Sequence, residues 1–180
     1  MVPAISIQEY DAARQRVGLV DRAEYAYVVL SGKDRASYLQ GLLTNDISAL
    51  GAGQGCYSAY LTPQGRMIAD LWVYELGDVM LLRLSRDVKP TVLAKLDQFI
   101  FSEDVQLGDV SDTFIATAIV GPQSPRLLSS VLDVPESTLS ALADHGSRSD
   151  TLSDVRRSLR ILPTGGVCRR NDLHPDLSMP

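Results

Sequence analysis

Cysteine, histidine and tryptophan are scarce in this chain of 180 residues, which holds two, two and one of them. The cysteines, Cys56 and Cys168, stand far apart with no C-x-x-C or Cys/His spacing around them. That excludes a disulfide framework and a structural zinc site, and makes a reducing cytoplasm the expected setting. His145 and His174 lie in polar stretches without periodicity, so neither offers a positioned base. No run of about 18 apolar residues occurs, and the opening MVPAISIQEYDAARQ has no apolar core of a signal peptide, so neither a membrane span nor export is expected. The chain also lacks a Lys/Arg-rich cluster and carries a net charge of -5. Nucleic acid and anionic membranes, which are bound chiefly through clustered cations, are therefore poor partners for it. No repeat or heptad is visible. The glycine-rich GAGQG at Gly51–Gly55 lacks both the Walker lysine and the G-x-G-x-x-G spacing, which leaves a turn rather than a phosphate loop.

What remains is ordinary for a folded protein. Hydrophobic residues make up 45% and charged residues 22%, and the length suits one domain, or one domain and the start of a second. Residues 6–16 read as an amphipathic helix and Glu24–Gly32 as a strand. Ser31 then opens S-G-K-D, a helix-start pattern in which its hydroxyl would cap free amides, followed by Ala36, Leu39 and Leu43 at helical spacing. Cys56–Leu61 and Arg66–Leu76 read as two strands of a hairpin. Pro63 and Gly65 suit a type I turn between them, with Gly65 at positive φ. A third strand, Val79–Leu84, continues the meander, and Asp87 would cap a helix that puts Val88, Val92, Leu96, Phe99 and Ile100 on one face. Strands near Val105–Leu107 and Thr113–Val120 and a helix from Gly121-Pro122 to about Leu132 complete the pattern. The fold class is α+β, an antiparallel sheet with packed helices. Beyond residue 133 the Ser/Asp/Arg-rich SRSDTLSDVRRS and the apolar-poor LPTGGVCRRNDLHPDLSMP predict a poorly ordered tail.

Asp70 is the anomaly, a carboxylate between Ile68 and Trp72 inside a hairpin strand, where an unpaired buried charge is costly. If Thr62 faces Arg66 and the ladder is regular, Asp70 lies opposite Ser58, with Tyr60 and Cys56 diagonal to it on the same face. A slip of one residue exchanges the faces and brings Tyr57 beside the acid instead. In the first register the acid, hydroxyls and rings form a platform suited to a flat heteroaromatic ligand with ring nitrogens. A solvated aspartate, or one holding a structural hydrogen bond, is the plainer alternative.

The stretches VLSGKDRASYLQGLLTNDISAL, GQGCYSAYLTPQGRMIADLWVYEL and VSDTFIATAIVGPQS, in that order between Val17 and Leu132, resemble the folate-binding aminomethyltransferase superfamily. Its members include the glycine cleavage T-protein and the YgfZ-type proteins. YLQGLLTNDI and LTPQGRMIADL are closer to the YgfZ-type branch, since Gly65-Arg66 and Ala69-Asp70 stand where the T-protein has Gly-Gly and Asp-Asp. The resemblance implies tetrahydrofolate as cofactor, bound within a ring of domains. Asp70 matches the second acid beside the pterin and p-aminobenzoyl nitrogens, Tyr57 a tyrosine of the preceding strand, and Asn45-Asp46 the motif after the first helix. It further implies a protein supporting iron–sulfur cluster assembly or repair and tRNA modification, with iron–sulfur proteins as partners. The alternatives are an aminomethyltransferase of the glycine cleavage type and a truncated fragment that binds nothing.

Residues and resemblance together give a candidate site of Asn45, Asp46, Tyr57, Tyr60, Asp70 and Trp72, with Asp70 as the catalytic carboxylate and no metal. The expected organisation is a folate-binding domain at residues 1–112 and, at 113–180, the start of a second domain that runs into a divergent tail. The YgfZ-type K-G-C-Y-x-G-Q-E motif is absent, and Cys168 in GGVCRRN has neighbours unlike it. A truncated member is therefore expected.

Overall fold

A computed structural model describes residues 6–132, 134–141, 148–151, 158–162 and 166–170. The chain divides into two compact units, one built on Ala23–Phe114 and the other on the segments before and after it. Both contain an antiparallel sheet with helices, the α+β class expected.

The central unit holds a five-stranded sheet in the order β3-β4-β5-β2-β6. Its strands are β2 (Tyr25–Ser31), β3 (Gly55–Leu61), β4 (Met67–Glu75), β5 (Met80–Ser85) and β6 (Gln106–Asp109). Two helices, α2 (Arg35–Gln40) and α3 (Lys89–Gln98), cover one face. Side chains alternate across a strand, so every second residue points to them. Val28 and Leu30 of β2, Leu71 and Val73 of β4, and Leu82 and Leu84 of β5 form the core with Leu39 of α2 and Val92 and Leu96 of α3. Burying each such side chain contributes about 1.5–3 kcal/mol.

Two anticipated helix caps are not made. Ser31 ends β2, where it pairs with Gln106, and α2 starts only after Asp34. The Asp34 carboxylate accepts from the Asp104 amide at 2.8 Å instead, tying the helix entry to the chain before β6. Likewise α3 begins after Val88 with no side-chain cap, and Asp87 stands outside it. Tertiary hydrogen bonds outcompeted the local ones in the first case, and Pro90 in the opening turn has no N–H to be capped in the second.

The other unit contains α1 (Ile7–Gln15), β1 (Gly18–Asp21), β7 (Phe114–Val120), α4 (Ser124–Val131) and α5 (Glu136–Ser140). Ser6 and Glu9 close a capping box on α1, and β1 pairs with β7 from Gly18↔Val120 to Asp21↔Thr117. Three further strands, β8 (Arg148–Thr151), β9 (Ser158–Leu162) and β10 (Gly166–Arg170), extend this sheet in the order β1-β7-β10-β9-β8. They occupy part of the segment for which the sequence predicts a poorly ordered tail, because backbone pairing needs no apolar period. The remainder of that expectation, residues 171–180 included, lies outside the described residues.

Two glycines separate conformational strain from contact. Gly32 and Gly77 have φ of +99° and +97°. A Cβ on Gly32 would sit 2.0 Å from the Asp104 carbonyl oxygen, whereas one on Gly77 would meet open space. Gly77→Ala is expected to cost about 1 kcal/mol and Gly32→Ala about 3 kcal/mol or more. Urea unfolding of both variants checks this; equal losses would mean that the Asp104 contact yields freely.

Candidate functional site

The hairpin that carries Asp70 starts as its turn residues dictate. Gly65 has φ +78° and donates to the Thr62 carbonyl, while the Thr62 amide donates to the Arg66 carbonyl, both at 2.8 Å. Leu61 pairs with Met67, but the next pair is Tyr60 with Ala69, which leaves Ile68 as an extra residue on β4. This β-bulge shifts every later pair by one. Asp70 therefore lies opposite Ala59, not Ser58, and Tyr57 lies opposite Trp72.

Ser58, Tyr60 and Cys56 consequently belong to the core face. Ser58 is buried, and its hydroxyl accepts from the amides of Thr44 and Asn45, each at 3.1 Å. Tyr60 is 2% exposed and paired with Ala69, on the side of the sheet away from Asp70. Its placement beside the acid is corrected by the bulge. Burial pushes its phenol up. Burial, and then the charge of Asp46, do the same to the Cys56 thiol, which fits an inert position.

On the opposite face, three of the anticipated residues come together. Tyr57 is 44% exposed and donates its hydroxyl to Asp70 Oδ2 at 2.6 Å. That hydrogen bond first, then burial and repulsion between phenolate and carboxylate, holds the Tyr57 phenol above the usual tyrosine range. Trp72 packs on Tyr57 with ring centroids 4.9 Å apart and meets Tyr25 edge-on at 5.9 Å. Arg83 of β5 lies over Trp72, its Cζ 4.1 Å from the ring centroid. Among the described residues no group other than Tyr57 bonds Asp70, which leaves Oδ1 of this half-buried acid without a donor among them. The arrangement can accept a hydrogen bond from an N–H of a planar ligand and offer it aromatic surface.

Asn45 and Asp46 support this face rather than line it. Asn45 Nδ2 donates to the Tyr57 carbonyl, and its Oδ1 accepts from the Asp46 amide, both at 2.8 Å. Both ends of that amide are thus committed. Asp46 Oδ1 accepts from the Ala49 amide at 3.2 Å and caps the following turn. Arg83 was not anticipated. Its one signal in the sequence is a lone cation inside the apolar MLLRLS.

Among the described residues there is no cluster of three metal-ligating side chains and no helix long and apolar enough to cross a membrane. Residues 2–158 match the GCVT N-terminal domain. The aminomethyltransferase of Bacillus subtilis (strain 168) is 32% identical over 139 residues, 76% of this chain and 38% of that protein. That of Prochlorococcus marinus (strain NATL2A) is 28% identical over 169 residues, 88% of this chain and 45% of its own. The chain thus spans less than half the length of these relatives. In fold it is similar to the glycine cleavage system aminomethyltransferase T from Bartonella henselae, with TM-score 0.75 at 20% identity, covering 91% of this chain and 44% of that one. A chain of the heterotetrameric sarcosine oxidase from Corynebacterium sp. U-96 is similar with TM-score 0.60 at 17% identity, covering 89% of this chain and 80% of that one.

The Tyr57 phenol is expected to titrate above an ordinary exposed tyrosine, and Asp70→Asn to bring it down, since a neutral amide accepts the phenol hydrogen more weakly than a carboxylate and carries no charge to oppose the phenolate. Carbon-13 NMR of labelled tyrosine rings against pH checks this. A Tyr57 that titrates alike in both proteins would show that the hydrogen bond does not persist in solution.

Proposed function

The chain belongs to the GCVT N-terminal domain family, and from that premise we propose that it binds reduced folate, tetrahydrofolate, on the face formed by Asp70, Tyr57 and Trp72. The observation that carries the reading is the open Asp70 oxygen beside an exposed phenol and an indole. A pterin presents ring N–H donors to such an acceptor, and its flat ring suits the aromatic pair. Bound tetrahydrofolate would supply a nucleophilic nitrogen for one-carbon chemistry. Asp70 would act there as a positioned charge that orients the donor and stabilises positive charge developing on it. Asn45 would hold the Tyr57 backbone in place, and Asp46 the turn that carries Asn45. Tyr60 has no direct part in this reading.

Within the family, the proposed role is that of the YgfZ-type branch, folate-dependent support of iron–sulfur enzymes, including those that modify tRNA, in the cytoplasm. The sequence around the hairpin supports it, with Ala69 in place of the first acid of the T-protein pair. Ala69 is buried on the core face beside Tyr60, so the acid that is missing would not have faced the ligand. The names of the relatives favour a second reading, an aminomethyltransferase. Transfer of an aminomethyl group from lipoyl-protein to tetrahydrofolate separates the two, being expected only for the second.

Asp70→Ala is expected to weaken tetrahydrofolate binding about tenfold to a hundredfold, the equivalent of roughly 1.5–3 kcal/mol for a hydrogen bond to a charged acceptor. Its melting temperature should change little, because the partner of Asp70 among the described residues is an exposed hydroxyl that water can satisfy. Calorimetric titration and thermal melts of both proteins test the proposal. A wild type that does not bind, or a variant that binds as well, would overturn it.

A further inference from the structure

Arg83 is an unexpected residue to find buried. It lies in the middle of β5, paired with Trp72 on one side and Tyr27 on the other, and is only 6% exposed. A guanidinium taken from water needs compensation. Here aromatic rings supply part of it, with Arg83 Cζ 4.1 Å from the Trp72 centroid, 4.9 Å from Tyr25 and 6.0 Å from Tyr74. The planar guanidinium stacks on rings in a way that an ammonium does not.

The consequence runs outward along the sheet. Trp72 lies between Arg83 on β5 and Tyr57 on β3, with Tyr25 against it edge-on. Tyr57 is half exposed and leans on Trp72, and it is the donor to Asp70. A half-exposed ring can swing between staggered χ1 wells, so the place of its hydroxyl depends on what backs it. The backing is an indole that carries the Arg83 guanidinium over its ring, 4.1 Å from the centroid. We propose that Arg83 is the positioning residue of the candidate site, setting the Trp72 ring and through it the Tyr57–Asp70 pair. Its effect on ligand affinity rests on the folate reading; its effect on Trp72 and Tyr57 does not.

Trp72 is the sole tryptophan of the chain, so its emission reports this site alone. Arg83→Lys keeps the charge and loses the plane, while Arg83→Met keeps an apolar stem and loses the charge. In both full-length variants, acrylamide is expected to quench Trp72 more strongly than in wild type, and the Tyr57 phenol to titrate lower as its bond to Asp70 loosens. Tetrahydrofolate affinity should fall about tenfold, with Arg83→Lys between wild type and Arg83→Met. A residue that serves stability alone would lower the melting temperature and leave quenching and Tyr57 titration at their wild-type values in the folded variant, and that result would overturn the proposal. Should Arg83→Met fail to fold, Arg83→Lys and the wild-type guanidinium decide. Proton NMR is expected to find Arg83 shifted by the ring current and slow to rotate, and a freely rotating, unshifted Arg83 would overturn the proposal as well. If wild type binds no tetrahydrofolate while quenching and titration still move, the folate reading fails and the positioning role stands.

Discussion

Side chains on a strand alternate between two faces, so the register of β3 against β4 decides the chemistry of both sides of the central sheet at once. That register is set by one residue. Ile68 is the extra position between the Leu61–Met67 and Tyr60–Ala69 pairs, and it turns the rest of the hairpin by one step. Without it Asp70 would sit beside Ser58 and Tyr60; with it the acid meets Tyr57 and the two buried hydroxyls turn to the helices. A shift of one residue in a pattern of period two leaves no intermediate arrangement.

The same step puts the polar groups of β3 to different uses. Toward the core, the Ser58 hydroxyl takes the amides of Thr44 and Asn45. Along the outer edge, Thr44 donates its amide to the Ala59 carbonyl and accepts the Ala59 amide on its hydroxyl, while Asn45 reaches the Tyr57 carbonyl. The segment after α2 thereby closes an edge that would otherwise present free amides and carbonyls to other chains. It also fixes the backbone beneath Tyr57, so the protection of the edge and the rigidity of the ligand face come from the same few hydrogen bonds.

The candidate site has the build expected of a preorganised one. Its acid and its exposed ring are backed by residues behind them, Asn45 through the Tyr57 carbonyl and Arg83 through the indole. Asp70 and Arg83 stand on one sheet face with the rings of Tyr57 and Trp72 between them, which keeps the two from forming an ion pair with each other. The family, and with it the fold, was legible in the order of three sequence stretches, and the match over residues 2–158 bears that out.

Local physics explains which features could be read in advance. The turn at Pro63 and Gly65 needs only the φ values that those two residues favour, α1 its capping box and α3 a periodic apolar face, so residues near in sequence determine them. The cap anticipated at Ser31 fails because the Asp104 amide, at hand in space, is far away in sequence, and the one at Asp87 because Pro90 brings no N–H to the opening turn. Strand β1 and the pairs of β8, β9 and β10 depend on partners elsewhere in the chain and left no local mark. The sequence alone determined that a hairpin forms, that Asp70 stands in it between Ile68 and Trp72, and that a tyrosine stands near on either face. Which tyrosine the acid meets was decided only in the folded sheet, because a bulge is a property of two paired strands and neither strand carries it alone.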